Sequence, residues 1–178
     1  MKKKILACAL IAICLSMVAY GTTAFFSYKI ITTNVITAGN VRVGFDNNDY
    51  AHPVDIVPGT TASRSVQITN IGYGAAWVRI QLDKEIILAP GVEGEADTSL
   101  VTYEINDEFW TERDGWFYYL KVLEPGETTE PIFTEVSFSA NMSNMYQKSQ
   151  SKINVLVHAV QQLHNGESVF EAAGWPEE

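Results

Sequence analysis

The sequence predicts an all-β protein, an antiparallel two-sheet β-sandwich of jelly-roll type with one short C-terminal helix. Three observations predict it. Apolar and polar residues alternate with a period of two along most of the chain, which is the pattern of half-buried strands. The alternating runs are separated by Pro58-Gly59, Asn70-Ile71-Gly72, Asp114-Gly115 and Pro125-Gly126, all strong turn signals. Finally, a chain of 178 residues that is 47% hydrophobic and 19% charged has ordinary globular composition, with one domain as the default. Nine or so short strands, each with one apolar face, need a second sheet to cover that face.

Taken in order, Val41, Val43 and Phe45 alternate with Arg42 and Gly44, and Val66 and Ile68 alternate with Gln67 and Thr69. Val78, Ile80 and Leu82 repeat the pattern, followed by Val101, Tyr103 and Ile105. Asp114-Gly115 is the sharpest turn, since a two-residue type I′ hairpin needs positive φ at both centres; it joins Glu108–Arg113 to Trp116–Leu123. Ile132, Thr134, Val136 and Phe138, and then Ile153, Val155, Val157 and Ala159, supply the last strands. Ser168 and Glu171 have capping-box spacing, so a short helix is expected there, with Phe170, Ala173 and Trp175 pinning it to the core.

The chain opens on a positive Met1–Lys4, then fourteen uncharged, mostly apolar residues from Ile5 to Val18, then small residues at Thr22-Thr23-Ala24. That is the layout of a secretory signal peptide, with cleavage between Ala24 and Phe25. A membrane anchor is the rival, but fourteen helical residues rise only about 21 Å against a hydrocarbon core of about 30 Å. The expected product is free outside the cell, touching the membrane only before cleavage.

Composition excludes several classes. The net charge is −9, and loss of Lys2, Lys3 and Lys4 makes the remainder more acidic, so nucleic acid is not an expected partner. Cys8 and Cys14 both lie in the opening run, leaving the remainder without disulfides, cysteine ligands or a cysteine nucleophile. His52, His158 and His164 form no H-E-x-x-H zinc motif, and about 20 Å of strand would separate His158 from His164. The expectation for them is surface histidines on or after an edge strand. No G-x-S-x-G elbow occurs. No catalytic residue, metal ligand or cofactor is therefore assigned.

Two groups of residues carry alternatives. Acidic residues crowd Asp83 to Glu135, where Glu93, Glu95 and Asp97 offer a calcium site against the plainer reading of a solvated acidic face. Phe109, Trp110, Trp116, Phe117, Tyr118 and Tyr119 would stack on sugar if they faced solvent, and would fill the core if they did not.

The segment from Phe25 to Thr37 is β-branched and aromatic, has one charge at Lys29, and lacks Pro and Gly. Read as one strand, it would line one face with Phe26, Tyr28, Ile30, Thr32 and Ile36. Such a strand at a new N-terminus has two destinations, its own sandwich or the sheet edge of another copy. Both stay open on the residues alone.

Gly21-Thr22-Thr23-Ala24-Phe25-Phe26-Ser27, with Thr33-Asn34-Val35-Ile36-Thr37-Ala38-Gly39-Asn40-Val41 after it, resembles the junction of the TasA/camelysin family, Gram-positive exported proteins processed by the signal peptidase SipW. Pro58-Gly59 and Val66–Gly72 are similar to that family's first turn and strand. The resemblance implies a jelly-roll sandwich, secretion, and extracellular biofilm-matrix or surface fibres in which one subunit's N-terminal strand completes the next. It makes a SipW-like peptidase, further copies of the chain and matrix accessory proteins the expected partners. The resulting division is residues 1–24 as signal peptide, 25–37 as candidate donor strand and 38–178 as β-sandwich domain. Camelysin-like members are also called metallopeptidases, which makes a secreted metallopeptidase the alternative, and a carbohydrate-binding or adhesive module the next.

Overall fold

The computed structural model describes residues 27–31, 34–36, 41–45 and 52–176. The expected cleavage residues Ala24 and Phe25, with Phe26 and Thr32, lie outside them. Twelve strands are present among the described residues: β1 Ser27–Ile31, β2 Asn34–Ile36, β3 Val43–Phe45, β4 Val54–Asp55, β5 Thr61–Ser63, β6 Ile68–Asn70, β7 Ala76–Ile87, β8 Val101–Thr102, β9 Trp110–Arg113, β10 Trp116–Tyr119, β11 Glu135–Phe138 and β12 Gln150–Gln161. All their pairings are antiparallel. The all-β expectation holds.

Hydrogen bonding divides the strands among three sheets rather than the expected two. Seven strands form the order β2-β1-β12-β7-β10-β9 with β4 also on β12; β5-β11-β8 and β3-β6 make the smaller sheets. A jelly-roll order is not borne out by this division. One core nonetheless joins them: Val78, Ile80, Val155 and Val157 from the large sheet meet Val43, Ile68, Val101, Val136 and Phe138 from the small ones. These are the alternating apolar positions, so the period-two pattern did choose the buried face. It fails locally at Ile132–Thr134, where Ile132 and Phe133 are both buried and Thr134 is exposed; the strand begins only at Glu135.

The longest strands, β7 and β12, pair along their whole length from Gln150↔Ile87 to Gln161↔Ala76. The β9–β10 hairpin forms at Asp114-Gly115, with φ of 54° and 77° at the two centres, as a type I′ turn requires. Asn70 fixes the turn before β7: its side-chain Nδ2 donates to Gly74 O and Leu123 O, and its Oδ1 accepts from Gly72 N. A fully buried amide with such partners costs nothing in lost hydrogen bonding.

The expected C-terminal helix is a turn. Glu171 N donates to Ser168 O at 3.1 Å, but the Glu171 carboxylate reaches Glu167 N instead of closing a capping box on Ser168. Gly166, at φ 84°, lets the chain double back so closely that a Cβ there would stand 2.9 Å from the Glu171 Cβ. The residues that follow form a strap over the outer face of the large sheet. Val169, Ala172 and Trp175 pack there on Trp77, Trp116, Tyr118 and Val160, a second apolar layer behind the main core. Asn165 ties the strap down, donating to Gln161 O and Ala173 O and accepting from Ala173 N.

Candidate functional site: the N-terminal strand on β12

β12 reads Gln-Ser-Lys-Ile-Asn-Val-Leu-Val-His-Ala-Val-Gln, and its burial changes along its length. From Gln150 to Leu156 buried and partly buried residues alternate, whereas Val157, His158, Ala159 and Val160 are buried in succession. Both faces of that end are therefore covered, one by the main core and the other by the strap and Trp116. The two edges of the same stretch are covered as well. β7 occupies one, and β1 the other, with Ser27↔Val160, Tyr28↔Ala159, Lys29↔His158, Ile30↔Val157 and Ile31↔Leu156.

The register places Tyr28 and Ile30 opposite Ala159 and Val157, both members of the main core. Ser27, Lys29 and Ile31 stand opposite Val160, His158 and Leu156. The segment expected as one strand is two, β1 and β2, which pair as Lys29↔Ile36, Ile30↔Val35 and Ile31↔Asn34. Ile36 thus stands opposite Lys29, and Val35 takes the position opposite Ile30. Residues directly opposite share a face, so the reversal of the chain changes the parity that a single-strand reading carries through.

The three histidines lie in different surroundings. His52 and His164 are exposed; His164 follows the end of β12, in a loop at φ 57°. His158 departs from the expectation of a surface residue: it is 0% exposed, on a strand with neighbours on both sides. Its ring lies 4.3 Å from that of Trp116, and its Nδ1 is 3.2 Å from Nη2 of Arg79. The Arg79 guanidinium in turn sits between the Trp116 and Trp175 rings, at 4.1 and 4.7 Å, and donates to Tyr118 Oη and Pro176 O. This stack locks the strap to the sheet. Sequence reasoning named Trp175 as a pin but missed Arg79, which looks like any solvent-facing residue in an alternating strand.

Among the described residues, no three His, Cys, Asp or Glu side chains gather as metal ligands. Asp97, one of the three acidic residues considered for calcium, serves as a cap: its Oδ1 accepts from Ser99 N and Ser99 Oγ, which lowers its pKa. The hairpin aromatics belong mainly to the interior. Trp110 and Tyr119 fill the main core, and Trp116 and Tyr118 lie under the strap. Phe117 lines a broad concavity of about 450 Å³ with Leu82, Lys84, Tyr103, Ile105 and Glu112.

Another polar group is built around Glu130. Tyr119 Oη and Lys121 Nζ both donate to its carboxylate, the latter at 3.1 Å, and Trp110 Nε1 donates to its backbone carbonyl at 3.0 Å. Burial and the neighbouring carboxylate raise the Tyr119 pKa. For Glu130, burial pushes the pKa up, but the hydrogen bonds from Tyr119 and Lys121 outweigh it and leave it lowered. A phenol held protonated and a carboxylate held ionised make a structural clasp.

Residues 1–88 match the family model described as camelysin metallo-endopeptidase, and the resemblance read from the N-terminal residues is borne out by it. No curated protein and no solved structure matches the chain. Among the described residues no helix is long and apolar enough to cross a membrane. The family description implies a metal, yet the described residues do not fit one. Two histidines are exposed in separate loops and the third is stacked on Trp116, so no chemistry is derived through a metal.

Proposed function

From that family match, we propose that the protein is an exported structural subunit of extracellular fibres, in the biofilm matrix or on the cell surface. Subunits join when β1 of one copy takes the β12 edge of the next. The observation that carries this reading is the register of β1 on β12. A segment from the start of the chain supplies the outer neighbour of Leu156–Val160, a stretch whose faces are otherwise already covered. The same pairs form equally well when β1 belongs to another copy, because a swapped strand repeats its intramolecular contacts. Backbone pairing supplies the hydrogen bonds, and the positions of Tyr28 and Ile30 opposite core residues supply specificity.

In this reading a SipW-like peptidase cuts after Ala24 and frees the strand, while Tyr28 and Ile30, with Phe26, Thr32 and Ile36 on the same segment, form the subunit interface. Deletion of residues 25–37 from the processed protein tests it. The expected product is folded by circular dichroism and forms no fibres in electron micrographs, and the segment added back as a peptide caps the acceptor and stops growth of the intact protein. Tyr28→Asp with Ile30→Asp is the milder change, placing two charges at positions that must leave water. Fibres of normal appearance from either variant overturn the proposal. N-terminal sequencing checks the cut: a product beginning at Phe25 is expected, and one retaining Met1 removes the free strand.

The second reading, a secreted metallopeptidase, is favoured by the family's description alone. Stoichiometric zinc and caseinolytic activity in the purified protein would establish it in place of the fibre subunit.

A further inference from the structure

A recess at the opposite end of β12 from the β1 pairing holds two polar groups that the fold leaves unused. It is lined by Arg64, Ser151 and His52, with walls from Val54, Phe133 and Ile153. Ser151 is only 2% exposed, yet its Oγ has no hydrogen-bond partner among the described residues, and neither has the buried Nε of Arg64. Arg64 spends one other donor locally, from Nη1 to Ser63 O at 3.0 Å. The ion pairs among the described residues are Arg113–Asp114 and Lys121–Glu130, so no carboxylate among the described residues neutralises Arg64. Donors withdrawn from water and left unsatisfied are costly, and their convergence on one recess calls for an acceptor.

We propose that this recess binds a carboxylate carried on a short apolar group. The space open to water-sized atoms is only about 10 Å³, within about 260 Å³ of empty space that includes open solvent. One carboxylate oxygen enters between Arg64 Nε and Ser151 Oγ. The apolar remainder lies in the wider mouth against Val54, Phe133 and Ile153, with His52 exposed at the rim. A bare tetrahedral oxyanion leaves the apolar walls of Val54, Phe133 and Ile153 uncovered and faces a single cation, so it gains less here. The site is independent of the fibre proposal, because Ser151 pairs with Val54 of β4 rather than with β1.

Propionate titrated into the purified protein at constant ionic strength, with chloride and sulfate as controls, tests it. Saturable changes in amide chemical shifts around Ser151 and Arg64 are expected for propionate, and no saturation for the controls. Arg64→Gln abolishes the response. Ser151→Ala weakens it about tenfold, the worth of one hydrogen bond to a charged group. Without propionate, Ser151→Ala melts no lower than the parent, because the hydroxyl it removes has no partner in the fold. If Arg64→Gln does not fold, Arg64→Lys keeps the charge, loses the Nε geometry, and weakens the response. A tripeptide with an apolar free C-terminus, compared with its amidated form, separates a chain end from a free acid as the source. Saturation by the free-ended peptide alone, lost on amidation and in the Arg64 variant, supports the site with a chain end as ligand. A response that is linear in concentration, shared by chloride, or intact in the Arg64 variant overturns it, as does failure of both propionate and the peptide.

Discussion

The two edges of β12 are built in different ways. On one side β7 follows it for twelve consecutive pairs, from Gln150 to Gln161, in a single uninterrupted partnership. On the other, β4 pairs only at Gln150 and Ser151 and β1 only from Leu156 to Val160. Both partners of that second edge are short and come from early in the chain. A strand that shares twelve pairs and a largely buried face with its neighbour cannot leave without dissolving the core, whereas five pairs at an edge are the scale of a removable strand. A permanent partner and, in the proposed reading, an exchangeable one can share a single strand because its edges are hydrogen-bonded independently.

The largest expected effect lies on the permanent edge. Ile80, opposite Val157 and fully buried, is predicted to cost about 2–5 kcal/mol when changed to Ala, through lost burial and the cavity left behind. Urea denaturation measures it, and a cost under about 1 kcal/mol would remove the contrast between the edges. The strap comes next. Asn165→Ala removes its side-chain hydrogen bonds to Gln161 O, Ala173 O and Ala173 N, at about 1–3 kcal/mol, and Trp77 fluorescence should shift because Trp77 Nε1 donates to Asn165 O.

A smaller effect sharpens the comparison directly. In unassembled protein, amides of Leu156–Val160 bonded toward β1 should exchange with deuterium faster than those bonded toward β7, since edge pairings open without global unfolding. Equal protection by mass spectrometry or nuclear magnetic resonance would make β1 as permanent as β7. The smallest effect is electrostatic and belongs to neither edge. Because the folded pKa of Glu130 is lowered from 4.5, its contribution to stability is present above that value and lost as pH falls through the folded pKa. Thermal midpoints below pH 5 should therefore decline less steeply in Glu130→Gln than in the parent. The partner Tyr119, whose pKa is raised, acts at the other extreme: stability declines as pH rises past about 10, where the unfolded phenol ionises first.

Much of this was legible in the residues. Val43, Ile68, Val78, Ile80, Val155 and Val157 announce their burial by alternation, since successive side chains of a strand point to opposite faces. Asp114-Gly115 announces its hairpin because few residue pairs accept positive φ twice. The N-terminal junction carries the resemblance over a short stretch, and the family-model match over residues 1–88 bears that resemblance out. The Ser168–Glu171 pattern misled, because capping-box spacing also suits a single turn when Gly166 and Asn165 fold the chain back on itself.

By itself, then, the sequence determined which positions are apolar, where the chain turns and that the structure is all-β, for these follow from local geometry and from the period of the pleat. Tertiary structure alone decided that strands distant in the chain divide into three sheets, that β1 stands beside β12, and that Arg79 is clamped between Trp116 and Trp175. It also decided that Arg64 and Ser151 converge on one recess. Alternation fixes which face a residue takes but carries no information about which strand lies alongside. That choice depends on how all the apolar faces are covered at once, a property of the packed whole.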